Sequence, residues 1–159
     1  MKVKINNRTV EISEDKKQIS LIEFLREELN LTGVKNACEM KACGACAVLI
    51  NNKVMKICNT KVGDVDNCEI LTIEGMEAPD GSLHPLQQAF IDCGAIQCGF
   101  CTPGMVLTAH SLLLENPNPS RQEIRKALQS NLCRCTGYQQ IIDAVETASV
   151  YYQNQLVNS

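Results

Sequence analysis

Alternating apolar and polar residues define the beginning of the chain. Segments 3–5 and 10–12 alternate on either side of the pair Asn6-Asn7, and the runs 46–50 and 53–58 flank a second Asn pair. Period-two alternation around a short polar turn is typical of a β-hairpin. The pattern therefore predicts two hairpins within the first sixty residues.

A helical spacing separates these hairpins. Apolar residues at 22, 25 and 29 follow Ser20, and Glu23 stands three residues after that serine. This pattern predicts a helix that begins with a capping box and ends near Gly33. With a last short strand at 69–75, it predicts a small α+β domain over residues 1–76.

The periodicity changes after the Pro- and Gly-containing stretch 76–82. Apolar residues then recur at helical spacing, and Ser120 with Glu123 forms another capping-box pattern. We expect a small four-helix bundle domain over residues 82–159. Its predicted helices are 85–93, 103–115, 121–131 and 138–152.

Charge and hydropathy exclude several classes of protein. The net charge is −3, and no apolar run reaches the ~18 residues that a membrane span requires. We expect neither nucleic-acid nor membrane binding. The polar start lacks the apolar segment of a secretion signal, so we expect a cytoplasmic protein, in which stable disulfides are rare. Ten cysteines in such a chain indicate metal binding or redox chemistry.

The first cysteine set is grouped in the loop before the second hairpin. Cys38, Cys43 and Cys46 follow a C-x4-C-x2-C spacing, and Cys58 comes after eleven further residues. This is the spacing of plant-type 2Fe-2S ferredoxins. Structural zinc sites usually have two separated pairs of ligands, so the pattern favours iron–sulfur over the zinc alternative.

The second cysteine set consists of two pairs, Cys98-x2-Cys101 and Cys133-x-Cys135. A Thr follows each pair, and Thr is a common helix N-cap. We therefore predict that both pairs lie at helix N-termini, where free N–H groups stabilise an anionic cluster. Arg134 adds a positive charge.

The spacing leaves one alternative open, because Cys93 precedes Cys98 and Cys101 in a second C-x4-C-x2-C pattern. We retain Cys133 and Cys135, since a C-x-C pair after a helix has no other obvious role, and we assign Cys93 to the core. Cys68 has no assigned role. His84, before a proline, is interpreted as a local cap, and His110 as a helix-face residue; neither is expected to bind metal.

Four motifs together resemble the iron–sulfur subunit of molybdenum hydroxylases over nearly the whole chain. They are CEMKACGAC, LHPLQQAF, QCGFCTPGM and NLCRCTGYQQI. That family includes xanthine dehydrogenase, aldehyde oxidoreductase, carbon monoxide dehydrogenase and nicotinate dehydrogenase. The resemblance implies a β-grasp, plant-type ferredoxin-like domain followed by a four-helix domain, each with one 2Fe-2S cluster.

The resemblance also implies roles for single residues. Gln97 matches the family glutamine that contacts the pterin, and Cys135 matches the ligand whose sulfur approaches it. Ala37 and Ala42 depart from the family pattern, in which Gly is common at both positions. The implied ligands are Cys38, Cys43, Cys46 and Cys58 for the N-terminal cluster, and Cys98, Cys101, Cys133 and Cys135 for the C-terminal cluster.

The two domains account for the whole sequence, so the resemblance implies an oxidoreductase subunit that does not turn over substrate alone. It would pass electrons from molybdopterin, in its plain or dinucleotide form, through two 2Fe-2S clusters to flavin. The molybdenum site and FAD would lie in large and medium partner subunits, in a dimer of heteromers. The expected substrate is an N-heterocycle such as nicotinate or a purine. The alternatives are a free-standing two-cluster electron carrier and a zinc-binding interaction module.

Overall fold

The computed structural model describes residues 1–157 and places a mixed sheet in the first half of the chain. Its strand order is β2-β1-β5-β3-β4, and β1 runs parallel to β5 while the other pairs are antiparallel. Ile5 lies opposite Ile70, and Leu49 lies opposite Leu71. The strands are β1 (Lys2–Ile5), β2 (Arg8–Glu11), β3 (Ala47–Ile50), β4 (Lys53–Lys56) and β5 (Glu69–Leu71).

Both predicted hairpins are present, and their turns explain the paired asparagines. Asn6 and Asn7 have φ angles of 47° and 65°, and Asn51 and Asn52 have φ angles of 51° and 65°. Two consecutive positive φ angles define the type I′ turn, whose twist matches that of the flanking strands. Asn tolerates this conformation better than most residues, so each pair fixes the register of its hairpin.

The first helix begins after Ser20, as predicted, but its cap and its end differ from the prediction. It begins as α1 (Leu21–Glu23) and continues as a π-helical turn (Phe24–Glu28). Ser20 makes no side-chain capping bond, so the predicted capping box is wrong; Ser20 pairs instead with Lys61 in an isolated bridge. The helix ends before Asn30, which has a φ of 58°, rather than at Gly33.

Four further helices follow, near the predicted positions. His84 caps the first of them through its ring Nδ1, which accepts a hydrogen bond from the Leu86 N–H, as the sequence suggested. The capping box of Ser120 and Glu123 is also present. The helices are α2 (Pro85–Asp92), α3 (Thr102–Glu115), α4 (Arg121–Leu128) and α5 (Gln139–Val157); short 3-10 turns lie at Glu14–Gln18, Val62–Val65 and Ile73–Met76.

The apolar residues form two cores, one on each side of strand β3, which lies between β5 and β4. Val48 and Ile50 belong to the core of the sheet domain, whereas Leu49 packs with the helical residues. All four residues of β3 are buried because α3 covers its second face. Within residues 1–157, no helix has both the length and the apolar character needed to cross a membrane.

Close backbone contact joins the two halves at Gly44 and Gly104. A Cβ atom on Gly104 would lie 2.4 Å from the carbonyl oxygen of Gly44, and Gly44 itself has a φ of +72°. Distances this short cannot be accommodated without movement of the backbone. The two glycines therefore let the start of α3 lie directly against the first cysteine loop.

We expect Gly104→Ala to destabilise the protein. Alanine is the better helix former by about 1 kcal/mol, but forcing an atom into this contact should cost about 1–3 kcal/mol and separate the two segments. Thermal unfolding should show a midpoint several degrees lower. Gly137→Ala is the matched control, because a Cβ there meets nothing within 4 Å. Equal midpoints for the two variants would show that a Cβ atom can be accommodated at the Gly44–Gly104 contact, contrary to this prediction.

Candidate metal centres

The first cysteine set lies in the loop between α1 and β3, with Cys58 just after β4. Two loop amides donate to its sulfurs: Cys43 N–H to Cys38 Sγ at 3.4 Å, and Lys41 N–H to Cys58 Sγ at 3.3 Å. Positive φ angles at Glu39, Lys41 and Gly44 turn the loop sharply. Such turns direct successive N–H groups toward one point, which stabilises negative charge there.

The thiols of this first set meet in pairs. The Cys38 thiol interacts with that of Cys43, and the Cys46 thiol with that of Cys58. The amide of Cys43, followed by further loop N–H groups, lowers the pKa of Cys38 to about 6. Burial raises the pKa of Cys46 to about 11. The Cys38 thiol therefore loses its proton more readily than the buried Cys46 thiol.

The second cysteine set brings together the loop before α3 and the loop before α5. The Cys98 thiol interacts with that of Cys135, and the Cys101 thiol with that of Cys133. Cys98 and Cys135 are exposed, whereas Cys133 is buried. This set therefore has one pair at the protein surface and one pair directed toward the core.

Hydrogen bonds and burial also set the pKa values of the thiols in the second set. The amide of Phe100, followed by the Cys135 thiol, lowers the pKa of Cys98, whereas burial raises the pKa of Cys101 to about 12. Burial would also raise the pKa of Cys133, but hydrogen bonds from Thr136 outweigh it, so that pKa is lowered. The bond to Cys98 raises the pKa of Cys135.

The two threonines that follow the cysteine pairs are not helix caps. Thr102 is the first residue of α3, and Cys101 holds the N-cap position itself. Thr136 lies before α5, and its hydroxyl and amide donate to Cys133 Sγ at 3.1 and 3.4 Å. The prediction of two helix starts is therefore right for the first pair and wrong for the second, where a side-chain hydroxyl takes the place of the helix N-terminus.

The arrangement of the thiols and their hydrogen-bond donors bears on the choice between the two metal sites considered from the sequence. A single zinc ion needs four ligands around one point, whereas a 2Fe-2S cluster needs two thiolates on each of two irons. Among the residues that the structure describes, no three His, Cys, Asp or Glu side chains converge as ligands of one metal ion. Each set instead presents two thiol pairs with amide or hydroxyl donors on the sulfurs, which fits a 2Fe-2S cluster.

The remaining cysteines and the histidines lie outside both sets. Cys93 ends α2, and its sulfur lies 3.8 Å from the hydroxyl of Thr147. Cys68 packs beside the sheet core. His84 and His110 lie edge to face, with ring centroids 5.3 Å apart, and Nδ1 of His110 bonds the hydroxyl of Tyr152. Burial lowers the pKa of both rings, so they form a neutral packing cluster.

Gln97 and Cys135 are both exposed, at the outer end of the second set. Gln97 is exposed and directly precedes Cys98, whose thiol contacts Cys135. Exposed apolar side chains flank this site: Ile96, Phe100 and Leu132. Asn131 and Tyr138 lie beneath the same loop, and no sequence pattern predicts a functional role for either residue. In the sequence, only their closeness to the pair Cys133-x-Cys135 indicates that they belong to the site.

We expect Thr136→Val to shift the reduction potential of a cluster held by the second set. The hydroxyl donates to Cys133 Sγ and stabilises negative charge, which increases on reduction. Its loss should lower the potential by an amount on the order of tens of millivolts. Potentiometric titration followed by electron paramagnetic resonance measures this shift. Thr136→Ser, which keeps the hydroxyl, should stay near wild type, and an unshifted Val variant would rule out this role.

Comparison with known proteins agrees with the geometry. Residues 3–72 match a family described as a 2Fe-2S iron-sulfur cluster binding domain, and residues 72–146 match a 2Fe-2S binding domain. The small FeS subunit of nicotinate dehydrogenase from Eubacterium barkeri is 48% identical over 128 residues, covering 80% of this chain and 81% of that subunit. The chain belongs to the iron–sulfur subunits of molybdenum hydroxylases.

Solved structures of two such enzymes contain the same fold. The quinoline 2-oxidoreductase of Pseudomonas putida 86 matches with a TM-score of 0.88 and 40% identity, covering 97% of this chain and 95% of that one. The aldehyde oxidoreductase of Desulfovibrio gigas matches with a TM-score of 0.89 and 40% identity, covering 98% of this chain but 17% of that chain. The fold thus occurs both as a separate small chain and as part of a long one.

Proposed function

We propose that this chain is the electron-transfer subunit of a molybdenum hydroxylase and binds two 2Fe-2S clusters. The observation that carries the proposal is the arrangement of eight thiols in two sets, whose sulfurs accept hydrogen bonds from the amides of Lys41, Cys43 and Thr136 and from the hydroxyl of Thr136. The ligands would be Cys38, Cys43, Cys46 and Cys58 for one cluster, and Cys98, Cys101, Cys133 and Cys135 for the other. When bound, each cluster supplies a site that accepts and releases one electron.

The chain's own residues would keep these sites stable in both charge states. Amides of the 38–46 loop and the hydroxyl of Thr136 donate to cysteine sulfurs, so added negative charge is stabilised without rearrangement. Burial of Cys46 and Cys133 shields the inner side of each set from water. This combination suits electron transfer, which needs little structural change.

The exposed end of the second set would face the molybdopterin. Gln97 and Cys135 are its proposed contacts, because both are exposed beside the surface thiol pair. Electrons would then enter at the C-terminal set, pass to the N-terminal set and leave toward FAD. Molybdopterin with molybdenum would belong to a large subunit and FAD to a medium subunit, arranged as a dimer of heteromers.

We propose a β-grasp ferredoxin-like domain over residues 1–76 and a four-helix bundle domain over residues 82–159. Two apolar cores support this division, although the helical core also takes in Leu49 and Met76 from the first segment. The proposed substrate of the complex is an N-heterocycle such as nicotinate or a purine, in line with the relative that acts on nicotinate. The cytoplasm is the proposed location, since all ten thiols are free and the sites require reduced cysteines.

A second candidate is a free-standing electron carrier that docks transiently. The exposed apolar residues Ile96, Phe100 and Leu132 beside Gln97 favour a permanent partner over this alternative.

Affinity purification of the chain from its native cells separates the two functions. The proposal expects stable co-purification of larger subunits that carry molybdenum and FAD. It also expects that the chain produced alone is brown, holds about four irons and turns over no substrate. Substrate turnover by the chain produced alone would refute the subunit assignment. So would purification, from the native cells, of an iron-loaded chain without any partner.

A further inference from the structure

The side chain of Asn131 joins the two cysteine loops through a buried contact. It is 3% exposed, and its Nδ2 donates to the carbonyl oxygen of Gly44 at 3.2 Å. Gly44 lies between Cys43 and Cys46, and Asn131 lies two residues before Cys133. A single amide therefore spans the gap between the two proposed ligand sets.

The orientation of this amide is determined by its other partners. The hydroxyls of Thr108 and Ser130 both donate to Oδ1 of Asn131 at 2.9 Å. These donors direct the amide nitrogen toward Gly44, since an oxygen there would face another acceptor. Thr108 is itself buried on α3. The central helix thus holds the amide in one rotamer.

A second bond runs parallel to the first. The N–H of Leu132 donates to the carbonyl of Cys43 at 2.8 Å, so one hydrogen bond and one peptide unit separate Cys43 from Cys133. The hydroxyl of Tyr138 donates to the carbonyl of Asn131 and accepts from the N–H of Cys133, at 3.0 and 2.7 Å. The segment 131–133 is therefore hydrogen-bonded on one side to the first cysteine loop and on the other side to Tyr138.

We propose that Asn131 is a positioning residue that sets the distance between the two ligand sets. This inference rests on the proposed assignment of those sets to two clusters. The Gly44–Gly104 contact prevents the loops from approaching more closely, and the Asn131 amide and the Leu132 amide prevent them from separating. Electron transfer between two fixed sites depends steeply on their separation, so this contact controls the transfer rate without touching a substrate or a metal.

Asn131→Asp provides the sharpest test, because it keeps the size and the oxygen acceptor but replaces the donor that faces Gly44. The electron paramagnetic resonance spectrum of the fully reduced, cluster-loaded chain should retain both cluster signals. The splitting caused by their magnetic interaction should decrease, since that interaction falls with the cube of the distance. Hydrogen exchange at the Leu132 amide should speed up about tenfold or more, because the adjoining buried bond is lost.

Asn118→Asp is the matched control, because the same chemical change is made at an exposed position. It should alter neither the splitting nor the exchange. Unchanged splitting in Asn131→Asp, with both cluster signals present, would overturn the inference but leave the proposed function intact. Absence of two cluster signals in the wild-type chain would instead refute the proposed function, and the inference with it.

A second variant covers the case in which Asn131→Asp does not load with iron. Thr108→Val removes one of the two hydroxyls that orient the amide and leaves both cysteine loops unaltered. It should produce a smaller decrease in splitting and a smaller increase in Leu132 exchange. Wild-type values for both quantities in this variant would also overturn the inference.

Discussion

Replacing Cys43 with Ser is expected to stop electron delivery to flavin while the C-terminal set still accepts electrons from the substrate. Cys43 pairs with Cys38 in the first set, and the second set is built from other loops. Steady-state turnover of the assembled enzyme should fall at least about a hundredfold. Single-turnover spectroscopy with limiting substrate should show reduction of the C-terminal signal, whereas flavin reduction should be slow.

Cys68→Ser is the matched control, because Cys68 is a partly buried thiol outside both sets. It should retain full iron content and turnover. Resonance spectra of the Cys43 variant must show that the C-terminal signal survives, since an unfolded first domain would mimic the effect. Near wild-type flavin reduction in an enzyme that lacks the N-terminal signal would contradict a serial arrangement of the two sets.

Removal of iron is expected to unfold the cysteine loops and to weaken the whole chain. Each half has roughly 75 residues, and domains of this size bury only about 60% of the surface that the unfolded chain exposes. Most side chains of the loop 36–43 are exposed, so few apolar contacts hold it without metal. The thermal midpoint of iron-free protein should fall by an amount on the order of tens of degrees.

Limited proteolysis locates the effect of iron removal. Cleavage should appear first within 36–43 and 96–101, while β1 and α5 stay protected. Reconstitution with iron and sulfide should restore resistance at both loops. Cys93→Ser, which alters a thiol outside the proposed sets, should behave as wild type in both states. Native-like protease resistance of the iron-free chain would contradict coupling between metal binding and folding.

The sequence predicts the paired hairpins and most of the helices because their signals are local. Asn pairs produce type I′ turns, and Ser120 with Glu123 produces a capping box, whatever the rest of the chain does. The first helix begins at the predicted place, but its capping box is absent although the local pattern of Ser20 and Glu23 favours one. Ser20 pairs with Lys61, a contact that no local pattern encodes.

The candidate site was predictable to the extent that spacing identifies ligands. The cysteine spacings indicate two sets of four, and the structure pairs the thiols within each set. The environment of the sulfurs was not predictable, because Thr136 follows Cys135 in the same way that Thr102 follows Cys101, yet only one hydroxyl turns back to a sulfur. The role of Asn131 depends on a contact 87 residues away.

Because β3 is buried on both faces, the first half of the chain is not expected to be stable and soluble without the second half. Val48 faces its own core, but Leu49 is covered by helical residues that follow much later in the chain. During synthesis, the sheet would expose an apolar face until α3 leaves the ribosome. A fragment that contains only the ferredoxin-like half would keep this apolar surface exposed. It should therefore self-associate under conditions in which the full chain does not.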